Sequence, residues 1–206
     1  MLFRSYSGSA DWDLVAQIAA DLTIPVFGSG DCIEPQQIID RLQYVGAGAE
    51  GGSLAHRSPQ GEGGGRAISG VLVGRGVLRN PWILAQAADI AAGRAPREVT
   101  LRERGQFLLD YIDLLVHERV DETDGFRHIA PGQELPATNH QPPTGPARGR
   151  ERWVINKLRA LCAWYSKGID CGSHLRIRVN SASSIQELRD IVDEFFFAGV
   201  LEPSGP

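Results

Sequence analysis

The sequence predicts an α/β chain in which parallel strands are joined by helical crossovers and followed by an all-helical unit. Two observations carry this. Apolar runs at Ile24–Phe27 and Ile68–Val73 each end in a glycine turn, Gly28-Ser29-Gly30-Asp31 and Gly74-Arg75-Gly76, and each turn leads into a segment of helical periodicity. Beyond residue 100, amphipathic stripes recur with no strand-like run between the first of them.

Along the chain, Asp13 to Leu22 carries Leu14, Val15, Ile18 and Leu22 at helical spacing, and this stripe is expected to lie on a sheet. Ile24 to Phe27 reads as a short buried strand with Pro25 tolerated at its beginning. Pro35 suits the first turn of a helix with Ile38, Ile39, Leu42 and Val45 on its apolar face. Gly46 to Gly65 is nearly structureless by composition, and the second strand and second turn follow. Asn80-Pro81-Trp82 opens a helix bearing Ile83, Leu84, Ala87 and Ile90, with Gly93 placed to end it.

Thr100 and Glu103 have capping-box spacing ahead of Phe107, Leu108, Tyr111, Leu114 and Leu115. Asp121 to Gly149, rich in proline, glycine and polar residues, reads as a long loop or linker. Glu151 to Lys167 is helical, with Val154, Leu158, Leu161 and Tyr165 in one stripe and Trp153 and Trp164 beside it. A short loop and strand-like run carry Arg176 and Arg178, and Ser184 with Glu187 repeats the capping box before Ile185, Leu188, Ile191, Val192 and Phe195. Residues 1–95 are thus expected to form one domain and 96–206 a second.

The 206 residues suffice for a full core but fall short of the roughly 250 of a complete eight-fold barrel. Net charge is −4, yet between Arg148 and Asn180 eight basic residues face only Glu151 and Asp170. Cys32, Cys162 and Cys171 lack metal-type spacing and suit free thiols in a reducing compartment. With no secretory start and no apolar run of membrane-span length, the expectation is a cytoplasmic protein without a membrane partner. His56, His117, His128, His140 and His174 are scattered, so no metal site is expected.

Three constellations could carry chemistry. The two glycine turns would end on the same side of a parallel sheet, where backbone amides and following helices suit a phosphate. Gly46, Gly48 and Gly51 spell a dinucleotide fingerprint, but a helix rather than a strand precedes them, so the motif is rejected. Lys157 and Arg159, on a helix that also carries Trp153 and Trp164, combine with Lys167, Arg176 and Arg178 into a basic, aromatic-rich stretch of the kind that holds a nucleic-acid backbone. Cys32, two residues past Gly30, reads as a packed thiol because no base stands beside it.

The stretches Tyr6 to Trp12, Pro25 to Asp31, Gly70 to Gly76 with Asn80-Pro81-Trp82, and Lys157-Leu158-Arg159 through Trp164 to Gly168 and Leu175-Arg176 resemble, in order, the bacterial flavin-dependent tRNA-dihydrouridine synthases. The resemblance implies the C-terminal part of a TIM (β/α)8 barrel that binds FMN, followed by an all-helical tRNA-binding domain. It implies reduction of uridine in tRNA with NADPH as reductant. Carried onto this chain, the FMN-phosphate positions are Gly28, Ser29, Gly30, Asp31, Gly74 and Arg75, with serine at position 29 where the family usually has asparagine. RNA contacts fall to Lys157, Arg159, Lys167, Arg176 and Arg178. The chain resembles the family from near the sixth barrel strand onward, so no residue here takes the catalytic role, and association with another chain through an exposed barrel edge is expected. Two alternatives stand beside this reading: a non-catalytic tRNA-binding remnant, and another FMN-dependent barrel oxidoreductase.

Overall fold

A computed structural model describes residues 9–44, 68–121, 126–133 and 146–198. The chain is α/β with few strands, and it divides into two compact units, Met1–Arg97 and Glu98–Pro206.

The first unit runs α1 (Trp12–Asp21), β1 (Phe27–Ser29), α2 (Pro35–Leu42), β2 (Gly70–Leu72), α3 (Arg75–Arg79) and α4 (Ile83–Ala91). β1 and β2 pair in parallel, with Phe27 opposite Gly70, Gly28 opposite Val71 and Ser29 opposite Leu72. Parallel pairing requires a crossover, and α2 lies in it. Asp11 Oδ1 accepts the Leu14 N–H and starts α1. Pro35 occupies the first turn of α2, whose Glu34 and Gln37 form a reciprocal capping box. Gly93, at φ 71°, follows α4 in the left-handed conformation expected of a helix stop. The core gathers Trp12, Ala16, Ala19, Ile38, Ile39, Ile68, Ile83 and Ala87.

Several sequence expectations are corrected in this unit. The first strand lies at Phe27–Ser29 rather than Ile24–Phe27, so Pro25 precedes it. Helix α1 turns Trp12, Ala16 and Ala19 inward, while Leu14, Ile18 and Leu22, expected on the sheet, are 50%, 40% and 42% exposed. Alanines let the helix approach its neighbours closely, and the single indole supplies the volume. Leu84 likewise faces outward on α4. Val45 and the 46–65 stretch lie outside the described residues.

The second unit contains α5 (Leu101–His117), the short antiparallel pair β3 (Val120–Asp121) and β4 (Arg127–His128), α6 (Pro146–Tyr165), α7 (Gly172–Ser181) and α8 (Ile185–Phe197). Thr100 Oγ1 accepts the Glu103 N–H and Glu103 returns to the Thr100 N–H, the predicted box. Ser184 Oγ accepts the Glu187 N–H as expected, but the Glu187 carboxylate reaches one residue further back, to the N–H and hydroxyl of Ser183. Val154, Leu158, Leu161 and Tyr165 form the buried stripe of α6, and the Tyr165 hydroxyl donates to the Arg104 carbonyl. Gly105 lets α5 and α8 meet closely, because a Cβ there would run into Phe196 and Phe197.

Two expectations change here. The short run carrying Arg176 and Arg178, expected to be strand-like, lies in helix α7, with Leu175 and Val179 buried one turn apart and Ile177 65% exposed. The 121–149 linker contains β4, and α6 begins within it at Pro146; much of the remainder lies outside the described residues.

Candidate functional site

Both glycine turns leave β1 and β2 from the same end of the parallel pair, since the strands are in register. They also touch. Gly76 is buried, and a Cβ on it would collide with the Cys32 carbonyl in the loop that follows the first turn. Arg79 of α3 adds an ion pair, 3.6 Å, to Glu34, the N-cap of α2.

The first turn is fixed from outside. Gly28 lies against the Trp12 ring with no room for a side chain. Gly30, at φ 126°, would set a Cβ 2.7 Å from that of Ala10. Asp31 is left-handed at φ 57°, and its Oδ2 accepts the Ala10 N–H at 2.5 Å. Ser29, at the end of β1, is exposed on the opposite side of the strand from Gly28. In the second turn Gly74, the residue preceding α3, has open space where a Cβ would project, and Arg75 beside it is exposed.

The electrostatic source expected for the first turn is revised. The start of α2 is closed by its own side chains: Gln37 Oε1 accepts the N–H groups of Ile33 and Glu34, and the Glu34 carboxylate takes the Gln37 N–H. Anion-directed amides in that corner would come from the turn itself. Cys32 beneath it is 5% exposed, and burial raises its thiol pKa, as suits a packed thiol.

In the second unit, the basic residues sort by partner. Lys157 lies over the Trp153 ring at 5.6 Å and Lys167 over Trp164 at 3.8 Å, both lysines exposed. Arg159 is half-buried: one Nη donates to the Ala182 carbonyl at 2.9 Å, just past the end of α7, and its Nε is buried without a partner. It borders an open cleft of about 340 Å³ with Glu151, Arg152, Ile155, Ala182 and Ser183. Arg176 reaches the buried Ser166 hydroxyl at 3.5 Å, and Arg178 pairs with Glu194 at 2.6 Å. Arg150, in the sequence one positive charge of the basic stretch, donates to the carbonyls of Leu115, Val116 and Glu118 and closes the end of α5. No signal in the sequence distinguishes such a capping arginine from a ligand-binding one.

Among the described residues there is no group of three or more His, Cys, Asp or Glu that could hold a metal ion, and no helix long and apolar enough to cross a membrane.

A family model described as Dihydrouridine synthase (Dus) matches residues 3–52, a stretch that includes α1 and the first glycine turn. A protein of Mycobacterium leprae called a probable tRNA-dihydrouridine synthase is 27% identical over 187 residues, covering 90% of this chain and 35% of its own length. A Mycobacterium tuberculosis protein of the same description is 27% identical over 192 residues, covering 92% and 36%. A Coprinopsis cinerea protein called tRNA-dihydrouridine(47) synthase [NAD(P)(+)] is 25% identical over 132 residues, 59% of this chain and 16% of its own length. The chain spans about a third of the length of the mycobacterial relatives. The matched stretch and the breadth of the likeness together make this chain similar to the dihydrouridine synthases along most of its length.

Proposed function

We propose that this chain belongs to an FMN-dependent tRNA-dihydrouridine synthase, reducing uridine to dihydrouridine in tRNA with NADPH as electron source. In this reading the first unit is the C-terminal part of a TIM barrel that carries the phosphate site, and the second grips the RNA. One observation supports the cofactor assignment most directly: two glycine turns leave adjacent parallel strands at the same end and pack on each other at Gly76 and Cys32. In TIM barrels the loops after the last two strands are a recurrent phosphate site.

The residues fit an FMN phosphate. Gly74 leaves the space above its backbone clear for a bulky oxyanion, Ser29 is exposed and adds a hydroxyl, and Arg75, an exposed residue beside the turn, supplies a guanidinium. Gly28 and Gly30 serve indirectly, by letting Trp12 and Ala10 seat the first turn. Bound flavin would supply the hydride chemistry, and this chain's residues would anchor and orient it. In the second unit, Lys157 and Lys167, each beside an indole, would meet RNA phosphates, and Arg159, Arg176 and Arg178 would add cations held by intramolecular partners. The NAD(P) in the name of the Coprinopsis relative supports a nicotinamide reductant.

Titration with FMN and with riboflavin, followed by flavin fluorescence, tests the reading. FMN should bind more tightly than riboflavin, and Arg75→Ala should weaken FMN about tenfold while leaving riboflavin unchanged. Equal affinity for the two flavins removes the phosphate site. Binding of tRNA without either flavin would favour a non-catalytic tRNA binder.

A further inference from the structure

Asp31 poses a problem for a phosphate cradle, because a carboxylate beside a dianion opposes its binding. The geometry gives that carboxylate another task. Its Oδ2 accepts the backbone N–H of Ala10, twenty-one positions earlier, at 2.5 Å. Ala10 also places its Cβ against Gly30, and Trp12 lays its ring against Gly28. Residues 10 and 12 flank Asp11, whose carboxylate starts α1. The entry to α1 and the first glycine turn are therefore buttressed together at three successive points, and the Asp31–Ala10 hydrogen bond is the polar one. It accompanies the backbone least accessible to ordinary residues, Gly30 at φ 126° followed by Asp31 at φ 57°. Aspartate tolerates the left-handed region better than most side chains.

We propose that Asp31 is a positioning residue and not a phosphate ligand: it holds the Gly30–Asp31 turn open for the anion by fastening that turn to the Ala10 N–H. This rests on the FMN-phosphate reading above. The negative charge is incidental to the task, since an amide oxygen accepts the same N–H.

The two roles give opposite signs in Asp31→Asn. If position 31 acts by positioning, the introduced amide keeps the acceptor and removes the repulsion, so FMN should bind as tightly as to the unaltered chain or about three- to tenfold more tightly, with riboflavin unchanged. Asp31→Ala leaves the Ala10 N–H without its acceptor and should weaken FMN about tenfold. Hydrogen exchange at the Ala10 amide gives a readout independent of flavin: slow in the unaltered chain and in Asp31→Asn, fast in Asp31→Ala. Weakened FMN binding in Asp31→Asn, or Ala10 exchange indifferent to Asp31→Ala, overturns the assignment and leaves the flavin site standing. Absence of FMN binding to the unaltered chain, with Ala10 exchange as expected, sinks the flavin reading itself and the assignment with it, leaving Asp31 a residue of the fold.

Discussion

Arg150 shows how little a count of charges says about what each charge does. Its guanidinium gathers three carbonyls at the end of α5 that the helix cannot pair internally, and Arg159 does a smaller version of the same work on Ala182 beyond α7. The basic stretch was legible as composition, but its division into capping arginines and exposed lysines was not, because the carbonyls they serve lie 23 to 35 positions away in sequence. Arg150→Ala should therefore cost about 1–3 kcal/mol in urea denaturation, since partly buried acceptors lose their donor. Arg152→Ala, at an exposed position on the same helix, should change stability by under about 0.5 kcal/mol. Equal losses in the two variants would show that Arg150 contributes only its charge. The glycine turns were more transparent. Residues with no Cβ just after apolar runs pointed to corners, and the packing of Trp12 on Gly28 and of Cys32 on Gly76 shows why glycine is needed there. What the sequence could not reveal was the buttress from Ala10, a contact made by one methyl and one amide with no pattern to mark them.

Helices are legible where the apolar stripe is long, as in α6, or where a polar cap marks the start, as at Thr100 and Ser184. They were misread where the stripe was short. In α7, Leu175, Ile177 and Val179 alternate with Arg176 and Arg178, a two-residue period that a five-residue window cannot separate from the i, i+4 pair of a helix. In α1 the large aliphatics suggest the inner face, whereas the residues buried beside Trp12 are the small Ala16 and Ala19. The ends and crossings of these helices rely on carboxylates at the surface, exposed or partly so. Glu187 is held below its ordinary pKa by the Ser183 N–H and hydroxyl, Glu194 by Arg178, Asp113 by Arg189 and Asp89 by Arg94. A group with a depressed folded pKa binds fewer protons folded than unfolded, so its contribution is complete above the unfolded value and is lost as pH falls through the folded one. The thermal midpoint should therefore be level above about pH 5 and decline steadily toward about pH 3. Glu194→Gln should flatten part of that decline, and a midpoint indifferent to acid would show that these contacts add nothing to the fold.

The two units differ in how completely they cover their apolar surface. In the second, helices α5 to α8 enclose Leu108, Ile112, Val154, Leu158, Leu175, Val179, Leu188 and Val192, all at or below 1% exposure. In the first, among the described residues, the two-stranded parallel sheet is packed on one side only. Gly28 meets Trp12, while Phe27 and Leu72 on the other side are 58% and 57% exposed, with Ile24 at 62% close by in sequence. Parallel sheets are ordinarily covered on both faces, and an isolated pair of strands is marginal in water. Large apolar side chains exposed on one face of a sheet favour association with another chain. The isolated 206-residue polypeptide should accordingly self-associate at micromolar concentration, measured by size exclusion with light scattering. The paired change Phe27→Ser and Leu72→Ser should shift it toward monomer, because serine removes the exposed hydrocarbon while leaving the strand backbone and the Gly28 contact in place. Ile177→Ser supplies the control: its side chain is 65% exposed on α7 of the second unit, so it removes comparable hydrocarbon away from the sheet and should leave the oligomer unchanged. A sharp monomer peak from the unaltered chain, or equal dissociation by the control, would mean that the open face of the sheet does not drive association.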